Sequence, residues 1–262
     1  MKTRLRLLSN CGLLVLLFLT LWLFRASATA APATPASTIV GGTITTDTTW
    51  SLAGSPYILE TQNVTVSDGV TLTIEPGVTV ELNGARALYV YGTLVAVGTP
   101  TQTITFTRKA GATQPWAMVQ LGGGTVMTDS DASRIGYATI EGGGLSTQMV
   151  NVYRSAPAFD HVTLRDSGTR CLYASAIPAG ATLAYNGGTV SGCGWEGVYV
   201  TSGRAVLSGL TVSDNTGDGV EFASSTDDSQ LLDSTVQDNA GHGVHVTGSQ
   251  GLLLQGLTVD GN

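Results

Sequence analysis

The second half of the chain restates one short phrase, and that repetition limits what it can fold into more than any composition does. Residues 192–200 read GCGWEGVYV, residues 215–222 read NTGDGVEF and residues 239–246 read NAGHGVHV. Each phrase follows a Thr-Val pair, at Thr189-Val190, Thr211-Val212 and Thr235-Val236, and weaker copies of the pair stand at Thr163-Leu164 and Thr139-Ile140. The valines Val190, Val212, Val236 and Val259 therefore return at a nearly constant interval. Inside the phrase the apolar residues alternate with polar ones. Val198 and Val200 flank Tyr199, Val220 and Phe222 flank Glu221, and Val244 and Val246 flank His245. A two-residue alternation is the period of a strand, and its return at a fixed longer spacing is the signature of a solenoid of stacked β-coils.

Stacking follows from what one coil lacks. A single coil has an apolar face and a row of unpaired backbone groups, and both are satisfied only by a neighbour lying in register above it. The valines then pile inward and Tyr199, Glu221 and His245 point outward. Three residues after each repeat valine stand Asn215, Asn239 and Asn262, with Ser167 and Cys193 at the same place in earlier coils. Asn tolerates left-handed backbone at a corner, and stacked amides can bond along the axis. The expectation is a partial asparagine ladder at one turn, with the asparagines themselves making the left-handed bend.

The ends obey different rules. Lys2, Arg4 and Arg6 precede an apolar run over residues 12–24, and Ala28-Thr29-Ala30 supplies small residues for cleavage, so residues 1–30 read as a secretory signal. The run is shorter than the roughly 18 residues that span a bilayer, and no later segment resembles a membrane span. Residues 31–38 form a Pro/Ala/Thr leader expected to be extended. Losing Lys2, Arg4, Arg6 and Arg25 with the signal takes the formal charge from −7 to −11. So acidic a surface argues against nucleic acid and anionic lipid as partners, while the signal implies a protein that is secreted or held at the cell surface. Cys171 and Cys193 remain; they stand one coil apart in sequence but at different positions within their coils, which speaks against a bridge. No His/Cys group has zinc-ligand spacing, so no metal or other cofactor is expected. Asp166, Asp214 and Asp238 share one turn position, where calcium is conceivable but unsupported.

The first half is less periodic and equally β-like. Residues 71–75, 78–82, 88–90, 94–97 and 104–106 are short alternating strands punctuated by Asp68-Gly69, Glu75-Pro76-Gly77, Asn83-Gly84 and Gly98-Thr99-Pro100. Residues 39–132 are expected to hold an N-terminal cap and the first coils, with Trp50, Pro56 and Tyr57 covering the first rung. Residues 133–262 are the regular coils. The chain stops at residues 257–262, LTVDGN, which read as the start of another coil. Further sequence or a partner subunit is therefore expected beyond it.

The stretch from Ser55 to Thr107, SPYILETQNVTVSDGVTLTIEPGVTVELNGARALYVYGTLVAVGTPTQTITFT, resembles the opening of secreted bacterial right-handed β-helix proteins of the pectin-lyase-like superfamily, and the later NTGDGVEF and NAGHGVHV phrases resemble its coil repeats. The resemblance implies an all-β chain forming one right-handed parallel β-helix, a three-sheet solenoid with about 22–26 residues per coil. It does not choose among the polysaccharide lyases, glycoside hydrolases, adhesins and surface proteins that share the fold.

Register turns the repeat into surface columns. Tyr173, Tyr199, Glu221 and His245 fall in one, and Glu196, Asp218 and His242 fall in another at the adjoining turn. Aromatic faces stack on sugar rings and carboxylates accept hydroxyl hydrogen bonds. The leading reading is accordingly a non-catalytic module that presents an elongated face to a polysaccharide or cell-surface glycan, with Tyr173, Tyr199, Glu221 and His245 as contacts. The alternative is a polysaccharide-cleaving enzyme, hydrolase or lyase, acting on acidic polysaccharide with Glu196, Asp218 and His242 as catalytic groups. The Gly241-His242-Gly243 phrase resembles an element of polygalacturonase-type hydrolases, yet Asp227-Asp228 follows its strand where that pattern places an acidic pair before one, and no Arg-x-Lys follows. A lyase base is equally scarce, since Lys109 is the single lysine after the signal and Arg165, Arg170 and Arg204 are scattered. A third reading is a structural spacer within a larger surface protein.

Overall fold

The computed structural model describes residues 37–124, 132–225 and 228–262. The expected signal over 1–30, most of the leader and Asp227 lie outside the described residues. Within them, 22 strands pair only in parallel with strands one coil away, apart from an isolated Thr99–Gln102 bridge. Among the described residues no helix is long and apolar enough to cross a membrane.

Three stacks of strands make the walls. The first runs through Thr48–Trp50, Thr71–Ile74 and Thr93–Val97, then the leading halves of Arg134–Glu141, Ala158–Arg165, Thr182–Ser191 and Arg204–Ser213, and ends on Gln230–Leu232 and Leu253–Gln255. The second takes the start of Thr38–Ile44 and of Tyr57–Val66, then Thr79–Leu82 and Ile104–Arg108, the trailing halves of the same four long strands, and Thr235–Gln237 and Thr258–Asp260. The third stacks residues 42–44 and 64–66 with Leu88–Val90, Val119–Gly122, Val150–Tyr153, Leu172–Ser175, Val198–Thr201, Val220–Ala223 and Val244–Thr247. The strands expected from alternation in the first half appear within one residue of their sequence bounds, apart from a two-residue extension to Arg108.

The core is the inside of this tube, and it is built of columns. In the second stack Phe106, Ile140, Leu164, Val190, Val212 and Val236 pair rung upon rung, and none of them is exposed to solvent. In the third, Val198 stacks on Val220 and Val220 on Val244. Trp50 and Tyr57 stack at the first rungs with ring centroids 4.9 Å apart. Tyr185 is wholly buried and donates its hydroxyl to the Val162 carbonyl at 2.8 Å, which keeps a polar group tolerable in an apolar column; burial raises its pKa. At the last rung the corresponding apolar positions Val246, Leu254 and Val259 are exposed.

The turn between the second and third stacks carries the asparagine ladder. Asn215 Nδ2 donates to Asn239 Oδ1 and Asn239 Nδ2 to Asn262 Oδ1, each at 2.7 Å, while the Cys193 N–H donates to Asn215 Oδ1 at 3.0 Å. The geometric expectation attached to these residues needs correction. The left-handed bend is made one residue earlier, by Asp166, Asp214 and Asp238 with φ of 56°, 58° and 54°, and by Gly192 and Gly261. An Asp takes that conformation readily, and the bend it makes aims the following amide into the turn.

The cysteine expectation is overturned. Cys171 and Cys193 form a disulfide with Cα atoms 5.6 Å apart. Cys193 enters the turn of its coil and Cys171 leaves the turn of the coil before. Because the turn folds back on itself, unequal positions in two successive coils face each other inside it, a closeness that linear phase does not reveal.

Candidate functional site

The outer side of the third stack is a single file of side chains. Pairing places Thr65, Tyr89, Gln120, Asn151, Tyr173, Tyr199, Glu221 and His245 in one register column. The column expected from sequence is thus present and is longer than its four expected members. The same register carries Arg170, Glu196, Asp218 and His242, each two residues before its strand, into a parallel column along the turn. Backbone bonds continue the ladder through that turn: the Gly197 N–H donates to the Asp218 carbonyl at 3.0 Å and the Gly219 N–H to the His242 carbonyl at 2.8 Å. The close approach explains the glycines, since a Cβ on Gly219 would lie 2.5 Å from Val236 and 2.7 Å from the Gly243 carbonyl oxygen. The two columns expected from sequence stand side by side, on a surface fixed by backbone pairing.

Charge and aromatic rings divide this surface in two. Toward the N-terminal side, Arg170 forms an ion pair with Glu196 and packs over three rings, at 4.8 Å from the centroid of Trp195, 4.9 Å from Tyr199 and 6.0 Å from Tyr173. Tyr173 and Tyr199 meet edge to face at 5.5 Å. Trp195 stays 48% exposed, a large flat apolar face offered to solvent. Partial burial, followed by the charge of Glu221, raises the Tyr199 pKa against the opposing pull of Arg170.

Toward the C-terminal side the site is acidic and imidazole-rich. Asp218 accepts the His242 backbone N–H at 2.6 Å, lies 3.1 Å from His242 Nδ1 through Oδ1, and lies 2.8 Å from His245 Nδ1 through Oδ2. Glu221 approaches His245 Nδ1 at 3.9 Å. Partial burial pushes the Asp218 carboxyl upward, but the hydrogen bonds from the backbone and side chain of His242 and from His245 outweigh it, so its pKa is lowered. Glu221 has the opposite balance: burial and then the charge of Glu196 raise its pKa, more than His245 and Arg170 lower it. Asp218, His242 and His245 offer three ligand atoms within 4.8 Å of one another, a grouping that the linear spacing did not disclose.

Two residues of the site were not singled out in their roles from sequence. Arg170 looked scattered, although it stands one coil before Glu196, and that spacing signals the stack. Trp195 stands inside the repeated phrase, where Gly217 and Gly241 occupy its place in the next coils. Other candidates do not join the site. Arg165 pairs with Glu141, Arg204 donates to the Thr182 hydroxyl, and Asp166, Asp214 and Asp238 lie at the other end of the turn as its left-handed residues.

A family model agrees with this architecture for the C-terminal coils. Residues 179–262 match the family model described as right handed beta helix region. A relative, Protein bark beetle of Drosophila melanogaster, is 41% identical over 88 residues, covering 30% of this chain; the chain spans 3% of that protein's length. Among solved structures, the A-module of Azotobacter vinelandii mannuronan C-5 epimerase AlgE6 aligns over 84% of this chain and 86% of its own, at 14% identity and a TM-score of 0.37. The AlgE4 A-module of the same organism aligns over 84% and 87%, at 13% identity and a TM-score of 0.26. The described strands form a parallel β-helix, and over residues 179–262 it matches the right-handed kind.

Proposed function

We propose that the outer face of the third stack, from Tyr173 to His245 with its adjoining turn, binds a glycan chain laid along the solenoid axis, and that the protein does so after export, outside the cell or at its surface. The observation that carries this reading is the Arg170 assembly. A guanidinium locked between Glu196, Trp195 and Tyr199 holds the exposed indole in a fixed pose, so stacking a sugar ring on it costs little ordering entropy. Asp218 and Glu221, both one coil on from Trp195 and Tyr199, supply acceptors for hydroxyls further along the chain. Because Glu196 already neutralises Arg170 while Asp218 and Glu221 add negative charge, the face suits a neutral, hydroxyl-rich glycan and repels a polyuronate. The Cys171–Cys193 disulfide supports an oxidising compartment.

Retention on a panel of immobilised neutral and acidic polysaccharides tests the proposal. Trp195→Ala and Tyr199→Ala are each expected to weaken binding to a neutral glycan by roughly tenfold, the equivalent of about 1.4 kcal/mol. Unchanged retention in both variants overturns the assignment of the face. Release of reducing ends or unsaturated products by the wild-type chain, lost in Asp218→Asn, overturns the non-catalytic reading in favour of polysaccharide cleavage.

A further inference from the structure

We propose that Asp218, His242 and His245 form a three-ligand site for one divalent transition-metal ion of the zinc class, with its fourth position open to solvent. The ligands come from two successive coils, so the site is made by the stacking itself. Asp218 stands in the turn of one coil; His242 stands in the equivalent turn of the next, and His245 is the outward residue of the strand that follows. Three features of the geometry point to a metal. Zinc binds imidazole nitrogen and carboxylate oxygen at about 2.0–2.2 Å, so adjacent ligands of a tetrahedral ion lie about 3.3 Å apart. The carboxylate-to-imidazole separations, 2.8 Å from Asp218 Oδ2 to His245 Nδ1 and 3.1 Å from Asp218 Oδ1 to His242 Nδ1, one through each oxygen, are near that length, and one ligand atom from each of the three residues lies within 4.8 Å of the others.

The second feature is orientation. The His242 backbone N–H holds Asp218 Oδ1 at 2.6 Å, which fixes the carboxylate plane before any ion arrives. The third is donor chemistry. Two imidazoles and one carboxylate suit zinc, nickel or copper, whereas calcium and magnesium want an all-oxygen shell. Both histidines would bind through Nδ1 as the tautomer protonated at Nε2, so that their hydrogen bonds to Asp218 give way to bonds to the ion. The His242 side chain is 72% exposed and the Asp218 side chain 14%, which gives an entry path on one side and a partly desolvated anchor on the other. Asp218 and His245 also lie on the proposed glycan face, so the ion is titrated in the absence of glycan.

The chain holds three histidines, and His161 lies away from the cluster, paired with Asp160. It is therefore the internal control. Tag-free full chain, stripped with a chelator and dialysed, is titrated with cobalt(II) followed by visible absorption, and with zinc(II), calcium and magnesium in a calorimeter. The expected result is one cobalt per chain with the intense visible bands of a four-coordinate ion, displacement by zinc, and no heat from calcium or magnesium. His242→Ala, which removes an exposed side chain, and His245→Ala should each weaken zinc binding at least roughly tenfold, while His161→Ala leaves it unchanged. Absent cobalt bands, absent zinc heat, or zinc binding that survives His242→Ala and His245→Ala or is lost in His161→Ala overturns the site. Glycan retention measured with and without the ion leaves the two proposals separately decidable.

Discussion

Replacing Asn239 by Ala tests whether the amide ladder carries stability or merely accompanies the turn. Asn239 is 2% exposed and sits mid-ladder. Its Oδ1 accepts the Asn215 backbone N–H at 3.2 Å and Asn215 Nδ2 at 2.7 Å, and its Nδ2 donates to Asn262 Oδ1 at 2.7 Å and the Gln237 carbonyl at 3.0 Å. Alanine deletes the acceptor of two donors that belong to Asn215, itself 2% exposed, so water cannot readily replace it. An orphaned buried donor costs about 1–3 kcal/mol, which puts the substitution near 3 kcal/mol. For a chain of this size that is a fall in Tm of about 6–12 °C, read by circular dichroism, with a matching drop in the urea midpoint. Asn186→Ala, at an exposed strand position, should move Tm by less than 2 °C, since surface changes stay within about 0.5 kcal/mol. Hydrogen exchange adds locality, because nearest-neighbour coupling in a solenoid predicts faster exchange in the coils around Asn215 and Asn239 first. A melting point for Asn239→Ala within 2 °C of wild type would refute the ladder as a source of stability.

Three further outcomes follow from the same geometry. Converting both Cys171 and Cys193 to Ser releases a 22-residue loop, whose closure entropy corresponds to about 3 kcal/mol; urea denaturation should show the loss, and thiol titration of the denatured wild-type chain should find neither cysteine free. Phe222→Ala, at a position with no solvent exposure in the third stack, should cost about 3–5 kcal/mol, and a loss under 1 kcal/mol would mean the column collapses onto the gap. Gly188→Ala should leave the chain insoluble or melting far below wild type, because φ is +108° there and a Cβ would overlap the Val162 carbonyl oxygen; a soluble product with wild-type Tm contradicts the tight approach of those strands.

How much was legible in the sequence depends on whether a feature propagates along the chain or across it. The third-stack column Tyr173, Tyr199, Glu221 and His245 was readable because parallel in-register pairing turns a fixed spacing into adjacency, and alternation decides which side faces out. The same logic gave Asn215, Asn239 and Asn262 their ladder. It failed wherever contact depends on the shape of a turn instead of on register. Cys171 and Cys193 differ in phase yet meet inside the turn, and the left-handed residue proved to be Asp214 and not Asn215, because the repeat fixes which residues are equivalent but not which φ each adopts. Arg170 and Trp195 show the converse. Arg170 is one coil from Glu196, but the ion pair and the three ring contacts depend on a long side chain reaching along the axis, which no column of Cα positions contains. The Asp218, His242 and His245 cluster combines both cases. Register alone puts His242 over Asp218, whereas bringing His245 to the same carboxylate needs the turn at Gly243 to set a turn residue and a strand residue on one face. A scan for ligand spacing along the chain sees only two histidines three apart. The third ligand is 24 residues from the nearer one, a separation that becomes contact only once the coil period is known, so in a solenoid the motif to search for is a period plus an offset and not a local string.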